Sequence, residues 1–103
     1  MRKIIITEDQ FRTIAHDDLY FDTFSAAVQH AMARTESKGY EIDQDDWFRE
    51  VSTGPGKPRE GKTTRMTIGL IKNGKPQRKA LQIIVYNRSN NVKNNYELTH
   101  YIN

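Results

Sequence analysis

From Thr64 to Asn103 apolar and polar residues alternate with a period of two, broken by two turn signals, and this pattern predicts an antiparallel meander. Met66, Ile68 and Leu70 point one way while Arg65 and Thr67 point the other. The turn Asn73-Gly74 follows, a pair that favours the two-residue hairpin because both central positions need positive φ. Beyond it, Leu81, Ile83 and Val85 form the matching apolar row, and Arg78, Ala80, Gln82, Ile84 and Tyr86 the opposite one. Pro76 sits near the strand start, where proline is tolerated. A second turn-rich stretch, Asn87 to Asn95, leads to a last strand in which Tyr96, Leu98, His100 and Ile102 share a face. Three strands need a cover to be stable.

The first half switches to helical spacing. Arg2 to Ile6 is a β-branched run that could add a fourth strand or serve as an extended lead-in. Thr7-Glu8-Asp9-Gln10 matches a capping box, with Phe11, Ile14 and Ala15 as an apolar stripe, predicting a helix from Glu8 to about His16. Asp22 or Thr23 can cap a second helix whose stripe is Phe24, Val28, Ala31, Met32 and Thr35 and whose stop is Gly39. Leu19, Tyr20 and Phe21 are expected to plug the junction with the sheet. Asp43, Asp45 and Asp46 ahead of Trp47, Phe48 and Val51 suit a third helix capped by Asp43, with a strand over Asp43–Val51 as the open alternative.

The 103 residues leave room for one domain and one modest core. The expected fold class is therefore α+β. Two to three short helices pack on one face of a three- to four-stranded antiparallel sheet. Residues 1–53 form an acidic, mainly helical half, 54–63 a basic, exposed and mobile loop rich in Gly and Pro, and 64–103 a basic β-meander.

Charge sharpens this division. Residues 1–53 carry six Lys/Arg against eleven Asp/Glu, and residues 54–103 carry ten against two, so a net charge of +3 conceals halves of −5 and +8. Such asymmetry points to a side that faces a polyanion, or equally to two halves that attract one another during folding. The cations Lys57, Arg59, Lys62, Arg65, Lys75, Arg78 and Lys79, with Tyr86 and Tyr101 on the outward strand row, form the candidate nucleic-acid site. Guanidinium groups hold phosphates and tyrosines stack bases on sheet platforms. The competing expectation is that a further helix covers this face, which Ile84 would suit.

Other chemistry is sparse. No cysteine is present, which removes disulfides and thiolate sites and fits a reducing compartment. No apolar run exceeds four residues and no leader pattern is present, so a cytoplasmic protein without a membrane partner is expected. Gly56 to Thr63, GKPREGKT, literally satisfies the phosphate-loop pattern. A working phosphate loop opens a helix, whereas here a strand is expected almost at once, and Pro58 removes an amide. His16-Asp17 lacks further ligands, and His30 and His100 read as core-edge residues. The acids near Trp47 lack the glycine and spacing of a calcium loop. No nucleophile, base and orienting group fall at partner spacing. The expectation is thus a non-enzymatic protein with no catalytic residues, no metal, no cofactor and no small-molecule substrate. The alternative to nucleic acid is a protein partner docked at Asp45, Asp46, Trp47 and Phe48.

The block NGKPQRKAL (73–81), with VYN (85–87), YEL (96–98) and the terminal YIN, resembles short accessory proteins of tailed bacteriophages. The similarity runs from Tyr20 to the end and includes FDTFSAAV and the Trp47 region. No activity is established for that group, so the resemblance implies a phage accessory protein working in host cytoplasm and transfers no functional residues; under the docking alternative it implies an inhibitor or virion component whose partner is a host or phage protein.

Overall fold

The computed structural model describes residues 19–103. The expected lead-in at Arg2–Ile6 and the expected helix at Glu8–His16 lie outside the described residues. The elements in order are β1 (Tyr20–Phe21), α1 (Phe24–Ser37), β2 (Glu41–Ile42), α2 (Gln44–Thr53), β3 (Thr63–Lys72), β4 (Lys75–Asn87) and β5 (Tyr96–Ile102). The strands make one antiparallel sheet in the order β1-β5-β4-β3-β2. This is an α+β domain with five strands rather than three or four. The two additional strands are two-residue edge pieces, too short to leave a periodic signal.

The meander is as the alternation predicts. Lys72 pairs with Lys75 across a turn in which Asn73 and Gly74 take φ of 55° and 76°, the mirror-image turn that Asn-Gly favours. Ile68 pairs with Leu81, Met66 with Ile83, Val85 with Leu98 and Leu81 with Ile102, which aligns the apolar rows of three strands on one inner face. Both helices lie on that face. Ala27, Val28 and Ala31 of α1 are buried against Ile68, Leu81, Ile83, Val85 and Leu98, all five of which have no exposed surface.

Local chemistry fixes the helix ends. Thr23, not Asp22, is the N-cap of α1, its hydroxyl accepting from the Ala26 amide at 3.0 Å. Asp22 instead accepts from the Asn94 amide at 2.9 Å and so ties down the β4–β5 connection. Over Asp43–Val51 the chain is helical. Asp43 Oδ1 caps the amides of Asp45 and Asp46 at 3.1 and 3.2 Å.

The start of α2 is also latched to the sheet. Asp43 N–H donates to the Gly69 carbonyl at 3.0 Å, and Gly69 N–H donates to Asp46 Oδ2 at 2.6 Å. A Cβ on Gly69 would lie 2.9 Å from that carboxylate oxygen and would push the Asp46 side chain aside, weakening the latch. Directly after Gly69 the ladder is irregular. Gly69 faces Ala80 while Ile71 faces Pro76, so Leu70 alone spans the interval that Gln77, Arg78 and Lys79 span on β4. Counting by twos assigned Arg78 to the outward row, but it sits in this bulge.

On the α1–β5 side, His30 and His100 stand edge to face with ring centroids 6.1 Å apart, and Phe21 lies 5.1 Å from His30. Burial, followed by repulsion from His30, Lys38 and Arg34, lowers the His100 pKa to about 4. The folded state therefore binds the proton more weakly than the unfolded chain, whose histidine titrates near 6.5. The sign follows: stability is whole above about pH 6.5 and falls as pH drops from there to about 4. Urea midpoints at pH 7.5, 6 and 5 should decline more steeply for the parent protein than for His100→Gln, and parallel curves would contradict the assignment.

Candidate nucleic-acid interface

The outer face of the sheet carries the residues that alternation leaves over. Its rows, read from the loop end toward the hairpin, are Thr63–Tyr86–Glu97, Arg65–Ile84–Thr99 and Thr67–Gln82–Tyr101, followed by Gly69–Ala80. Among the described residues no helix covers the first three rows, while at Gly69 the start of α2 meets the sheet edge. Tyr86 and Tyr101 are 38% and 43% exposed, values at which a ring can receive a ligand without rearranging the core. Beside Tyr101, Gln82 Oε1 accepts from the Thr67 hydroxyl at 2.9 Å.

The cations fall into two groups and a centre. Lys57, Arg59 and Lys62 occupy the loop that enters β3 at Thr63, while Lys75, Arg78 and Lys79 lie at the hairpin end of the same ladder. They are not neighbours. The ten residues of β3 separate them by ~30 Å at a strand's rise per residue. Arg65 stands between the groups on the outer face. All seven side chains are exposed, and among the described residues none is paired with a carboxylate. Other cations are engaged. Arg49 pairs with Asp46, Arg88 lies 4.3 Å over the Tyr20 ring and donates to the Asn94 carbonyl at 3.0 Å, and Lys72 lies 4.7 Å over Tyr40.

The 54–63 loop, expected to be mobile, is tied to the sheet. Asn87, at the end of β4, has 1% of its surface exposed. Its backbone N–H donates to the Lys62 carbonyl at 3.0 Å, and its carbonyl accepts from the Gly61 amide at 2.7 Å. Its side-chain amide donates to the Pro58 carbonyl at 3.2 Å and to Asn90 Oδ1 at 2.9 Å, while its Oδ1 accepts from Asn95 Nδ2 at 2.7 Å. Thr64 adds a hydroxyl bond to the Gly56 carbonyl at 2.7 Å, and Pro58 is buried. Sequence reasoning placed Asn87 in a turn and missed this role. The signal was available, because 81, 83, 85 and 87 share parity and the inward row ends on a polar residue. The anchored loop has no phosphate-loop geometry: past Lys62 the chain is strand, so no helix N-terminus stands behind GKT.

The four candidates for protein docking part company. Asp46 is spent on Gly69 and Arg49, and Trp47 is half-buried against the core. Asp45 and Phe48 are exposed, Phe48 at 69%, and Val51 one turn on is exposed at 53%. Beside them a cleft of about 250 Å³ opens between α1 and α2, lined by Phe24, Val28, Trp47, Val51, Pro55 and Met66, with Glu50 at its polar edge. Among the described residues no three His, Asp or Glu side chains converge as a metal site, and no helix is long and apolar enough to cross a membrane.

Comparison of the chain with family models, curated proteins and solved structures finds no match. Residue chemistry and placement therefore carry the functional argument alone.

Replacing Asn87 with alanine leaves the Pro58 carbonyl and the Asn95 amide without their partner, which should cost about 1–3 kcal/mol. Hydrogen exchange should accelerate at Gly61 before it does at Ile68 or Ile83. Uniform acceleration across the sheet would show that Asn87 does not hold the loop in particular.

Proposed function

We propose that this chain is a non-enzymatic, phage-type accessory protein of the host cytoplasm that binds nucleic acid through the basic loop, Arg65 and the β3–β4 hairpin. The observation that supports it is the string of seven exposed cations without carboxylate partners among the described residues. Only Glu60 and Glu97 offset charge in residues 54–103, and Glu60 is held by the Ser89 hydroxyl at 3.3 Å. Cations left unpaired along one ladder repel one another, and a phosphate backbone both relieves that repulsion and releases its own counterions. Arginines and lysines on the ladder are positioning contacts to phosphate, so sequence preference should be slight.

If about five of the cations touch phosphate, affinity for an oligonucleotide should fall by roughly two to three decades between about 50 and 200 mM salt. Fluorescence anisotropy at the two salt concentrations measures this directly. Removing one charge at Lys57, Arg59, Arg65, Arg78 or Lys79 should lower the salt slope by about one, whereas Arg34→Ala on α1 should leave it unchanged. Absence of binding at 50 mM salt, or binding indifferent to Arg65→Ala and Arg78→Ala, overturns the proposal.

A second reading has its own support. The cleft lined by Trp47 and Val51, with Glu50 at its edge and the exposed Asp45 and Phe48 on the same helix, is an apolar surface on the helix side of the sheet and suits a host or phage protein presenting an apolar anchor next to a cation. Capture of such a partner that survives nuclease and is lost in Phe48→Ser would favour it.

A further inference from the structure

The arrangement of the outer face says what form of nucleic acid it suits, given the reading above, on which this inference rests. Along the β3–β4 ladder the order is loop cations, Tyr86, Arg65, Tyr101 beside Gln82, and hairpin cations. Tyr86 and Gln82 are four residues apart on β4, and Tyr101 is Gln82's partner on β5, so the two rings are separated by ~14 Å along this line. Between them lies the row Arg65–Ile84–Thr99, while Thr67 and Gln82 share a row with Tyr101.

We infer that the ligand is an unpaired strand lying lengthwise along the β3–β4 ladder, its bases on Tyr86 and Tyr101 and its phosphates on the cation group at each end. A duplex keeps its base faces inside its own stack and could use the cations but not the exposed rings. Unpaired bases offer those faces, and every base has one, so stacking adds affinity without adding sequence preference. The separation of the two cation groups sets a length. At a helical rise of 3.4 Å per nucleotide the ~30 Å ladder spans about nine nucleotides, and fewer when the strand is stretched. A shorter strand reaches one group at a time and loses the effective concentration that the second contact supplies. Glu97 opposes the track, since its carboxylate lies in the same row as Tyr86.

The test is an anisotropy titration of the full chain at about 50 mM salt with oligothymidylates of four, eight and twelve nucleotides and with a twelve-base-pair duplex. Affinity should rise at least ~10-fold between the four- and twelve-nucleotide strands, and the twelve-nucleotide strand should bind more tightly than the duplex. Tyr86→Leu and Tyr101→Leu should each weaken single-strand binding by roughly five- to one-hundred-fold and leave duplex binding unchanged. Glu97→Gln, a change outside the core, should tighten it and guards against a tyrosine variant that merely unfolds. Equal affinity at all lengths, preference for the duplex, or tyrosine variants that stay folded and bind like the parent would each overturn the unpaired-strand inference while the nucleic-acid reading stands. Failure to bind any of the four probes would overturn that reading itself.

Discussion

Everything else in this domain depends on the burial of one row of side chains, Ile68, Leu81, Ile83, Val85 and Leu98, under α1. Each such side chain contributes roughly 1.5–3 kcal/mol when removed from water. The fully buried apolar residues of α1, Ala27, Val28 and Ala31, are small, which lets α1 approach the sheet closely. Because strand side chains alternate, committing this row inward forces Arg65, Thr67, Gln82, Tyr86 and Tyr101 outward. The polar outer face is thus a consequence of the core.

Two polar latches then fix what the apolar row cannot. Asp43 and Asp46 grip both backbone groups of Gly69, which satisfies a sheet edge that would otherwise invite pairing with another chain and sets α2 against β3. At the far end of the ladder Asn87 holds the 54–62 loop and the 88–95 turn through both its backbone and its amide. An anchored loop presents Lys57, Arg59 and Lys62 at a defined distance from the hairpin cations, so less ordering entropy is lost when a ligand engages both. The acidic and basic halves do not neutralise each other by direct pairing among the described residues. The single ion pair there, Arg49 with Asp46, lies within α2.

Where one period dominated, the sequence was legible. The alternation of β3 to β5, the Asn-Gly turn and the apolar stripe of α1 with its Gly39 stop, at φ 96°, all appear where the pattern put them. Asp43 as a cap was readable because its neighbours supply a first turn, although Asp43–Val51 could also be written as a strand. What was not legible depends on contacts distant in sequence. β1 and β2 are two residues each and exist only because β5 and β3 offer them an edge. Gly69 reads as a weak point in a strand until Asp46, 23 residues earlier, is seen on its amide. The candidate cations were all found from charge alone, but their division into two groups at opposite ends of a ladder required the register.

The central claim is that the face left open by the core is the one that meets the ligand. It is tested most directly by mapping backbone and side-chain chemical shifts while a single-stranded oligonucleotide is titrated into the isotope-labelled protein. Shifts should concentrate at Arg65, Thr67, Gln82, Tyr86 and Tyr101 and at the cations of both ladder ends, with α1 and α2 unchanged. A response centred instead on Phe48, Val51 and the α1–α2 cleft, with the outer face silent, would contradict the account.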